Sequence, residues 1–272
     1  INALRRLGYF KSVDVNVLKT DKPGVVDIDI RVKENLTGTF SFGIGYDSVE
    51  KTSFTVGLEE KNFLGKGIKT RISLRSSEKS TKYNLGITEP YFKDTPLSLS
   101  GDVFDQETEV GQRDIEKNGF EIGLGFRFNE YRNKFGYTFT RSKTTTDDDF
   151  TGTSISGEEG IEIETSLLNY AISSNNTDSF LNPTNGVKKY LKFSMAGVGG
   201  DSKFLRTEAS FKQYIPFNYG DYIFSYGSKI GVITSIEDEK ITSSNRFYLN
   251  SNSVRGFDLN GIGPRDDGND NA

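Results

Sequence analysis

The chain has 272 residues, a formal net charge of −4, and no cysteine, histidine or tryptophan. Without cysteine or histidine it cannot form a disulfide framework, a thiol- or imidazole-ligated metal site, or a catalytic triad that uses either residue. The slightly acidic charge argues against general nucleic-acid binding, and the absence of any run of about 20 apolar residues excludes membrane-spanning helices.

The first 35 residues differ in pattern from the rest. Residues 1–7 are predicted to form a short helix that ends at Gly8, a residue suited to a helix C-terminus. Alternating strands are predicted over 9–18 and 25–33, joined by the turn sequence Asp21-Lys22-Pro23-Gly24. A helix followed by two strands is typical of the tail of a small α+β module. Because the chain begins within such an element, we expect it to be an internal piece of a longer precursor.

From residue 37 onward, apolar and polar residues alternate almost without interruption, which predicts roughly eleven antiparallel strands. The first of them places apolar and small polar residues on opposite faces: Phe40, Phe42, Ile44 and Tyr46 against Thr39, Ser41, Gly43 and Gly45. This alternation fits both a two-sheet sandwich and a barrel with a polar lumen. The strand count, with no Greek-key signature, favours an up-and-down barrel. Short turns and a long charged loop over 144–159 are typical of outer-membrane barrels.

Several connections carry residues that could serve a function. Asn62 to Gly67 is predicted to be a glycine-rich turn, since no helix and no Lys-Ser/Thr pair follows as a nucleotide-binding loop requires. Asp178 to Gly186 and Gly197 to Asp201 are also predicted to be turns. Glu89-Pro90-Tyr91-Phe92 fits either an aromatic girdle or a capped turn, and Glu158-Glu159 is interpreted as part of a solvated loop rather than a Ca²⁺ site. No catalytic constellation is visible, so neither enzymatic activity nor a metal or cofactor is predicted.

An ordered set of segments resembles a known family. These segments are Leu7-Gly8-Tyr9-Phe10, Gly43-Ile44-Gly45-Tyr46, the stretch 60–67, Thr88-Glu89-Pro90-Tyr91-Phe92, Asn182-Pro183-Thr184-Asn185-Gly186, and Val254-Arg255-Gly256-Phe257 with Gly261-Ile262-Gly263-Pro264-Arg265. Together they resemble the BamA family of outer-membrane protein assembly factors, above all its alphaproteobacterial forms, over essentially the whole chain.

The resemblance implies a fold and a place in the cell. Residues 1–35 would be the C-terminal part of the last periplasmic POTRA domain. Residues 37–272 would be the N-terminal part of a sixteen-stranded transmembrane β-barrel, contributing about eleven strands and the sixth extracellular loop, with the remaining strands beyond Ala272. The protein would lie in the outer membrane of a Gram-negative bacterium, with its POTRA part in the periplasm.

The resemblance also implies two functional segments. In the family the first barrel strand meets the last at a weak seam, the lateral gate, which matches Phe40, Phe42, Gly43, Ile44, Gly45 and Tyr46 here. Glycine would make this strand pliable, although small residues also suit a crowded lumen. The family's sixth loop is tucked into the lumen by a motif that matches Val254, Arg255, Gly256 and Phe257. Arg255 would bond acidic residues on the later strands, Gly256 would permit close approach, and Phe257 would pack beside it.

The implied function is the non-enzymatic folding and insertion of outer-membrane β-barrel proteins. The implied partners are unfolded outer-membrane proteins, accessory lipoproteins of the assembly complex, periplasmic chaperones and the lipid bilayer. The alternatives are a TamA-like autotransporter assembly factor, a two-partner secretion pore, a passive porin and a soluble β-rich binding protein. A porin ranks low because it should lack both the POTRA-like segment and the Arg255 loop.

Overall fold

A computed structural model of the chain describes residues 7–22, 24–47, 50–110, 112–147, 157–237, 239–247 and 249. A two-stranded sheet, made of β1 (Phe10–Lys19) and β2 (Val26–Glu34), precedes an eleven-stranded sheet. The strands of the large sheet are β3 (Gly38–Asp47), β4 (Lys51–Phe63), β5 (Ile68–Ser77), β6 (Ser80–Glu89), β7 (Leu97–Val110), β8 (Arg113–Phe128), β9 (Tyr131–Thr146), β10 (Glu162–Asn175), β11 (Gly186–Gly200), β12 (Phe204–Phe217) and β13 (Tyr222–Ser235).

The large sheet is an uninterrupted antiparallel meander. Each strand pairs with its neighbours in sequence, so the spatial order runs from β3 to β13 without a crossover. Consecutive strands are joined by hairpin connections, most of them short, which antiparallel pairing permits and parallel pairing does not. Within the described part of the chain, β3 and β13 form the two edges and the sheet is open. The predicted up-and-down β architecture with eleven strands is therefore confirmed.

The two faces of the sheet differ in chemistry because the side-chain period of a strand is two. Apolar residues such as Phe135, Leu168 and Phe193 share one face, as their register shows. The opposite face carries polar residues and lines a cavity of about 1040 Å³ to which strands from β5 to β11 contribute, among them Arg71, Glu121 and Lys192. The sheet therefore curves around its polar face, which is the inner face, and presents its apolar face outward.

The apolar outer face has no protein layer against it. Among the described residues, only Val13, Ala196 and Phe204 are buried apolar side chains, whereas large apolar residues along every strand of the meander remain exposed. A soluble sandwich buries such a face against a second sheet. A continuous apolar exterior around a polar interior is instead the pattern of a transmembrane β-barrel. The sandwich that the sequence left open is therefore excluded. Separately, none of the described helical segments has the length and apolar character needed to cross a bilayer.

One predicted turn is wrong in its position. The sequence predicts a chain reversal at Gly197 to Asp201, but β11 continues to Gly200 and the reversal occurs over 201–203. Gly197, Gly199 and Gly200 all have positive φ, and the register with β10 shifts between Thr165 and Leu167. Glycines in this conformation form a bulge within the strand. Of the predicted N-terminal helix, residues 1–6 lie outside the described residues.

The connection between β10 and β11 is organised around Asp178. Its carboxylate accepts hydrogen bonds from the backbone N–H groups of Ser179, Thr184 and Asn185, at 2.9 to 3.1 Å, and from the Thr184 hydroxyl. These donors, the Thr184 hydroxyl first among them, lower the pKa of Asp178 from about 3.8 to about 2. The connection holds Phe180 and Leu181 at its tip, 82% and 84% exposed. It is thus a preorganised turn with two apolar side chains in solvent.

Replacing Asp178 with alanine is expected to loosen this connection while leaving the sheet intact. The folded-state pKa is depressed, so the carboxylate contributes its stabilisation above about pH 4 and loses it as the pH falls through about 2. Thermolysin at neutral pH should cut the D178A variant near Phe180 and Leu181 faster than the wild type. In digestions with pepsin, which is active in acid, the difference in cleavage rate between D178A and the wild type should disappear as the pH approaches 2. Asp221→Ala, which removes only a carboxylate bonded to Asn218, is the matched control. Equal cleavage of D178A and wild type at neutral pH would contradict the expectation.

Candidate functional site: the free strand edge and the inner wall

The first strand of the meander has one backbone edge without a partner strand in the described part of the chain. β3 pairs only with β4, from Gly38 opposite Glu60 to Asp47 opposite Lys51. Just before this ladder, the Lys61 N–H donates to the Thr37 carbonyl at 3.4 Å. Hydrogen-bonded pairs alternate in an antiparallel ladder. The odd-numbered residues of β3 therefore bond β4, and its even-numbered residues turn their N–H and C=O groups to the free edge.

All six predicted gate residues lie on this strand. The register places the even-numbered ones, Phe40, Phe42, Ile44 and Tyr46, with their side chains on the apolar outer face. Phe40 and Tyr46 are 69% and 75% exposed. Each of these residues thus has its side chain toward the bilayer and its peptide groups toward the free edge. Gly43 and Gly45 alternate with them and lie on the inner face.

The inner side of β3 carries very little side-chain packing. A Cβ added at Gly43 would meet only the Thr55 Cβ, at 4.0 Å, whereas one at Gly45 would lie 3.1 Å from the Ser53 hydroxyl oxygen, a tight contact. The wall is therefore not crowded at Gly43. With no side chain to pack there, β3 is held chiefly by its ladder to β4, which favours local opening of the strand.

The base of β3 is tied to the connection between β4 and β5. The Thr37 hydroxyl donates to Glu60, whose Oε1 also accepts the Asn62 N–H at 2.7 Å. The Asn62 side chain in turn accepts the Gly67 N–H at 2.7 Å, and the Tyr9 hydroxyl donates to the Gly67 carbonyl at 3.4 Å. Through these bonds, the predicted turn over 62–67 links Tyr9, which directly precedes the small sheet, to the start of β3.

The inner wall is lined with paired charges. Lys134 bonds Glu121 on the neighbouring strand, and the Arg71 guanidinium lies 3.9 Å from a Glu59 carboxylate oxygen. On β12, Arg206 Nε lies 3.0 Å from a carboxylate oxygen of Glu208. Such pairs give a hydrated wall of both signs, which suits a water-filled lumen. Within the described ranges, no group of three or more acidic side chains is placed to hold a metal ion.

The predicted loop-six motif, Val254, Arg255, Gly256 and Phe257, lies outside the described residues. The chain that leads toward it is described: residues 239–247, here called the stem, follow β13 and lie against the inner face of the sheet. Their contacts with Arg206 and Ser142 show this placement. The sequence contains no pattern that predicts the stem, because it has neither the period of a strand nor that of a helix.

The interpretation of Glu158 as a solvated loop residue is wrong. Its side chain is buried, with the residue 5% exposed; one carboxylate oxygen accepts the Ser243 N–H at 2.8 Å and the other lies 3.2 Å from Lys240 Nζ. Both partners belong to the stem, about 85 residues later in the chain. The residues around Glu158 in sequence could not predict these partners, because Glu158 is buried by a contact with a distant part of the chain.

The fold and the free edge together define a class of protein. An antiparallel meander with an apolar exterior, a charged inner wall and an exposed first-strand edge forms part of the wall of a transmembrane β-barrel. Comparison with known proteins then gives the family. A model of the "Omp85 superfamily domain" matches residues 62–272, and the chain belongs to this superfamily.

Individual relatives agree with the family. The chain is 27% identical over 269 residues to the outer membrane protein assembly factor BamA of Nitratidesulfovibrio vulgaris, covering 97% of this chain and 34% of that protein. The crystal structure of BamA from Haemophilus ducreyi lacking POTRA domains 1–3 matches its fold with a TM-score of 0.84 at 24% identity, over 97% of this chain and 54% of that one. CdiB from Acinetobacter baumannii matches with a TM-score of 0.53 at 14% identity, over 94% and 50%. The chain spans about a third of the length of the curated relatives it matches first.

Proposed function

We propose that this chain is part of an outer-membrane assembly factor that folds and inserts β-barrel proteins through the free edge of β3. The observation that carries the proposal is the geometry of β3: the peptide groups of Phe40, Phe42, Ile44 and Tyr46 point away from β4, toward the position where a further strand would pair. Between the two edge strands of the described sheet, β3 is chosen over β13 because the resemblance makes it the first strand of the barrel. An unpaired edge is a template for strand addition. The family membership and the BamA relative support this reading.

The proposed mechanism needs no catalytic group. A client strand adds to β3 by backbone hydrogen bonds, which are sequence-independent and gain strength away from water. The client's apolar side chains then continue the outward apolar face into the bilayer. The proposed partners are unfolded outer-membrane proteins, the accessory lipoproteins of the assembly complex, periplasmic chaperones and the lipid bilayer. The proposed location is the outer membrane of a Gram-negative bacterium.

Two further parts of the protein are proposed on the resemblance. The β1–β2 sheet and the residues before it are assigned to the end of a POTRA domain, over 1–35, with the barrel beginning at 37. Arg255 is proposed as a lumen anchor of the sixth loop, with Val254, Gly256 and Phe257 shaping its approach. For Arg255→Ala we expect faster proteolysis of the sixth loop in the full-length protein, and unchanged cleavage would contradict the anchor.

A TamA-like factor or a two-partner secretion pore is the alternative function. Both would use the same kind of barrel wall, so the fold does not separate them. The relatives in sequence named outer membrane protein assembly factor BamA, which match over 97% and 98% of this chain, favour the general assembly factor. The clients separate the alternatives experimentally.

Depletion of the full-length protein tests the proposal. Cells that lose it should accumulate unfolded porins in the periplasm and lose the folded, heat-modifiable porin from the outer membrane. The matched comparison is the outer-membrane level of a lipoprotein, which does not fold as a barrel. If porins assembled at the normal rate while only one class of secreted protein disappeared, the secretion alternative would hold.

A further inference from the structure

The stem crosses the inner face of the sheet instead of extending into solvent. It starts after β13 and reaches β9 at Ser244; from Asn245 onward its contacts return across β10 and the β11–β12 turn to β12. With strands about 4.8 Å apart, this path covers four strand spacings, or about 19 Å. A short 3₁₀ turn, Ser243–Asn245, forms its centre, and Ser243 and Asn245 are buried.

Polar contacts fix the centre of the stem. The Asn245 side-chain amide lies 3.3 Å from the Thr165 hydroxyl and 3.4 Å from the Ser202 hydroxyl, and these two hydroxyls are 3.0 Å apart. One residue earlier, the Ser244 hydroxyl lies 3.1 Å from that of Ser142 on β9. These groups are buried or partly buried, so breaking their hydrogen bonds would leave polar atoms with neither a protein partner nor water.

Glu158 adds a charged contact between the start and the centre of the stem. It reaches from the β9–β10 connection to the Ser243 N–H and to the Lys240 ammonium. A buried carboxylate that loses its partners is strongly destabilising. Glu158 therefore favours the seated position of the stem, because only there does its carboxylate keep both partners.

The far end of the stem has a shaped seat for Phe247. The Arg206 guanidinium lies 4.0 Å from the centre of the Phe247 ring and also donates to the Asn245 carbonyl at 3.3 Å. Beneath the ring is Gly231 on β13, where a Cβ would come within 2.6 Å of a ring carbon. Any side chain larger than that of glycine at position 231 would therefore displace the ring.

We infer that Glu158, Arg206 and Gly231 are positioning residues that attach the sixth loop to the inner wall through its stem, separately from the Arg255 motif. Arg255 follows Phe247 by eight positions, a length of chain that can span at most about 28 Å from a seated Phe247. The stem thus sets where the loop enters the lumen. Its link to client assembly rests on the proposed function, but its attachment to the wall does not.

The chain contains no cysteine, so one introduced thiol can report whether the stem is seated. In the full-length protein in native membranes, Ser244→Cys should react slowly with a maleimide–polyethylene glycol reagent. Gly231→Ala should raise the labelling rate about tenfold, because the added methyl displaces the ring from Arg206. Phe247→Ala should raise it to a similar extent. The combination of both should label no faster than Phe247→Ala alone, since the clash needs the ring.

Glu158 gives an independent arm of the same experiment. Glu158→Ala should raise labelling of the thiol introduced at position 244, whereas Glu158→Gln should largely restore slow labelling, because an amide oxygen still accepts the Ser243 N–H. Glu159→Ala is the matched control, since Glu159 bonds Thr146 and not the stem. Additive effects of the Gly231 and Phe247 changes, or unchanged labelling in Glu158→Ala, would overturn the inference.

Client assembly separates this inference from the proposed function. If both hold, the folding rate of a porin should fall in Glu158→Ala and recover in Glu158→Gln, with the amount of folded protein unchanged. If labelling behaves as expected while porin assembly is normal even after depletion, the stem attachment stands and the proposed function fails. If depletion blocks assembly but labelling is insensitive to Gly231 and Glu158, the reverse holds.

Discussion

A Phe42→Pro variant is expected to lose most client assembly while still folding its own barrel. Phe42 turns its N–H to the free edge, and residues 41 and 43 make the bonds to β4, so proline removes a donor from the edge and leaves the ladder in place. One hydrogen bond is worth about 1 kcal/mol in water and more at a seam with little water. We expect porin assembly to slow roughly tenfold or more, as measured by the appearance of folded, heat-modifiable porin.

Two companion variants separate the edge from the side chain and the ladder. Phe42→Ala removes the same ring but keeps the N–H, so it should assemble clients at close to the normal rate. Gly43→Pro removes a bond to β4 instead and should impair folding of the protein itself. If Phe42→Pro assembled porins as fast as Phe42→Ala, the free edge would not be the site of strand addition.

The second large effect is expected from a charge on the outer face. Leu85 lies near the middle of β6, on the apolar face and 53% exposed. Leu85→Arg places a guanidinium in the hydrocarbon region, which costs about 2–4 kcal/mol at the middle of the membrane. Denaturant unfolding of the full-length protein in lipid vesicles should show a loss of stability of that size.

Asn84→Arg is the matched control for this change. Asn84 precedes Leu85 and is opposite Phe104, on the inner face of the same strand. An arginine there points into the lumen and should change stability by less than about 1 kcal/mol. Equal destabilisation by the two variants would mean that Leu85 does not face lipid.

The sequence predicts the strands well because each carries its own alternating pattern. The faces of β3, and of β8 through Phe120, Ile122 and Leu124, follow directly from the period of two. The choice between a sandwich and a barrel requires the three-dimensional structure, because both folds give the same alternation in the sequence. The exposed apolar face of the assembled sheet decides it.

The errors arise where distant residues or unusual backbone conformations decide the structure. Glu158 belongs to a charged loop by sequence, but a stem that follows β13 buries it. The glycines from 197 to 200 have the composition of a turn, yet their positive φ values form a bulge that lets β11 continue. Gly231 resembles any strand glycine until Phe247 is placed over it. None of these contacts is encoded in local patterning.

Under the proposed function, the geometry of β3 restricts which client segments can pair with it. The residues that offer peptide groups to the edge, such as Phe42 and Ile44, also have their side chains toward lipid. A client strand that pairs with them must place its own apolar residues opposite, because a slip by one position would turn every apolar side chain into the lumen and every polar one into the membrane. In the proposed mechanism, contact with the bilayer therefore favours only the correctly aligned strand, so an edge that binds through backbone groups would still select segments that alternate apolar and polar residues.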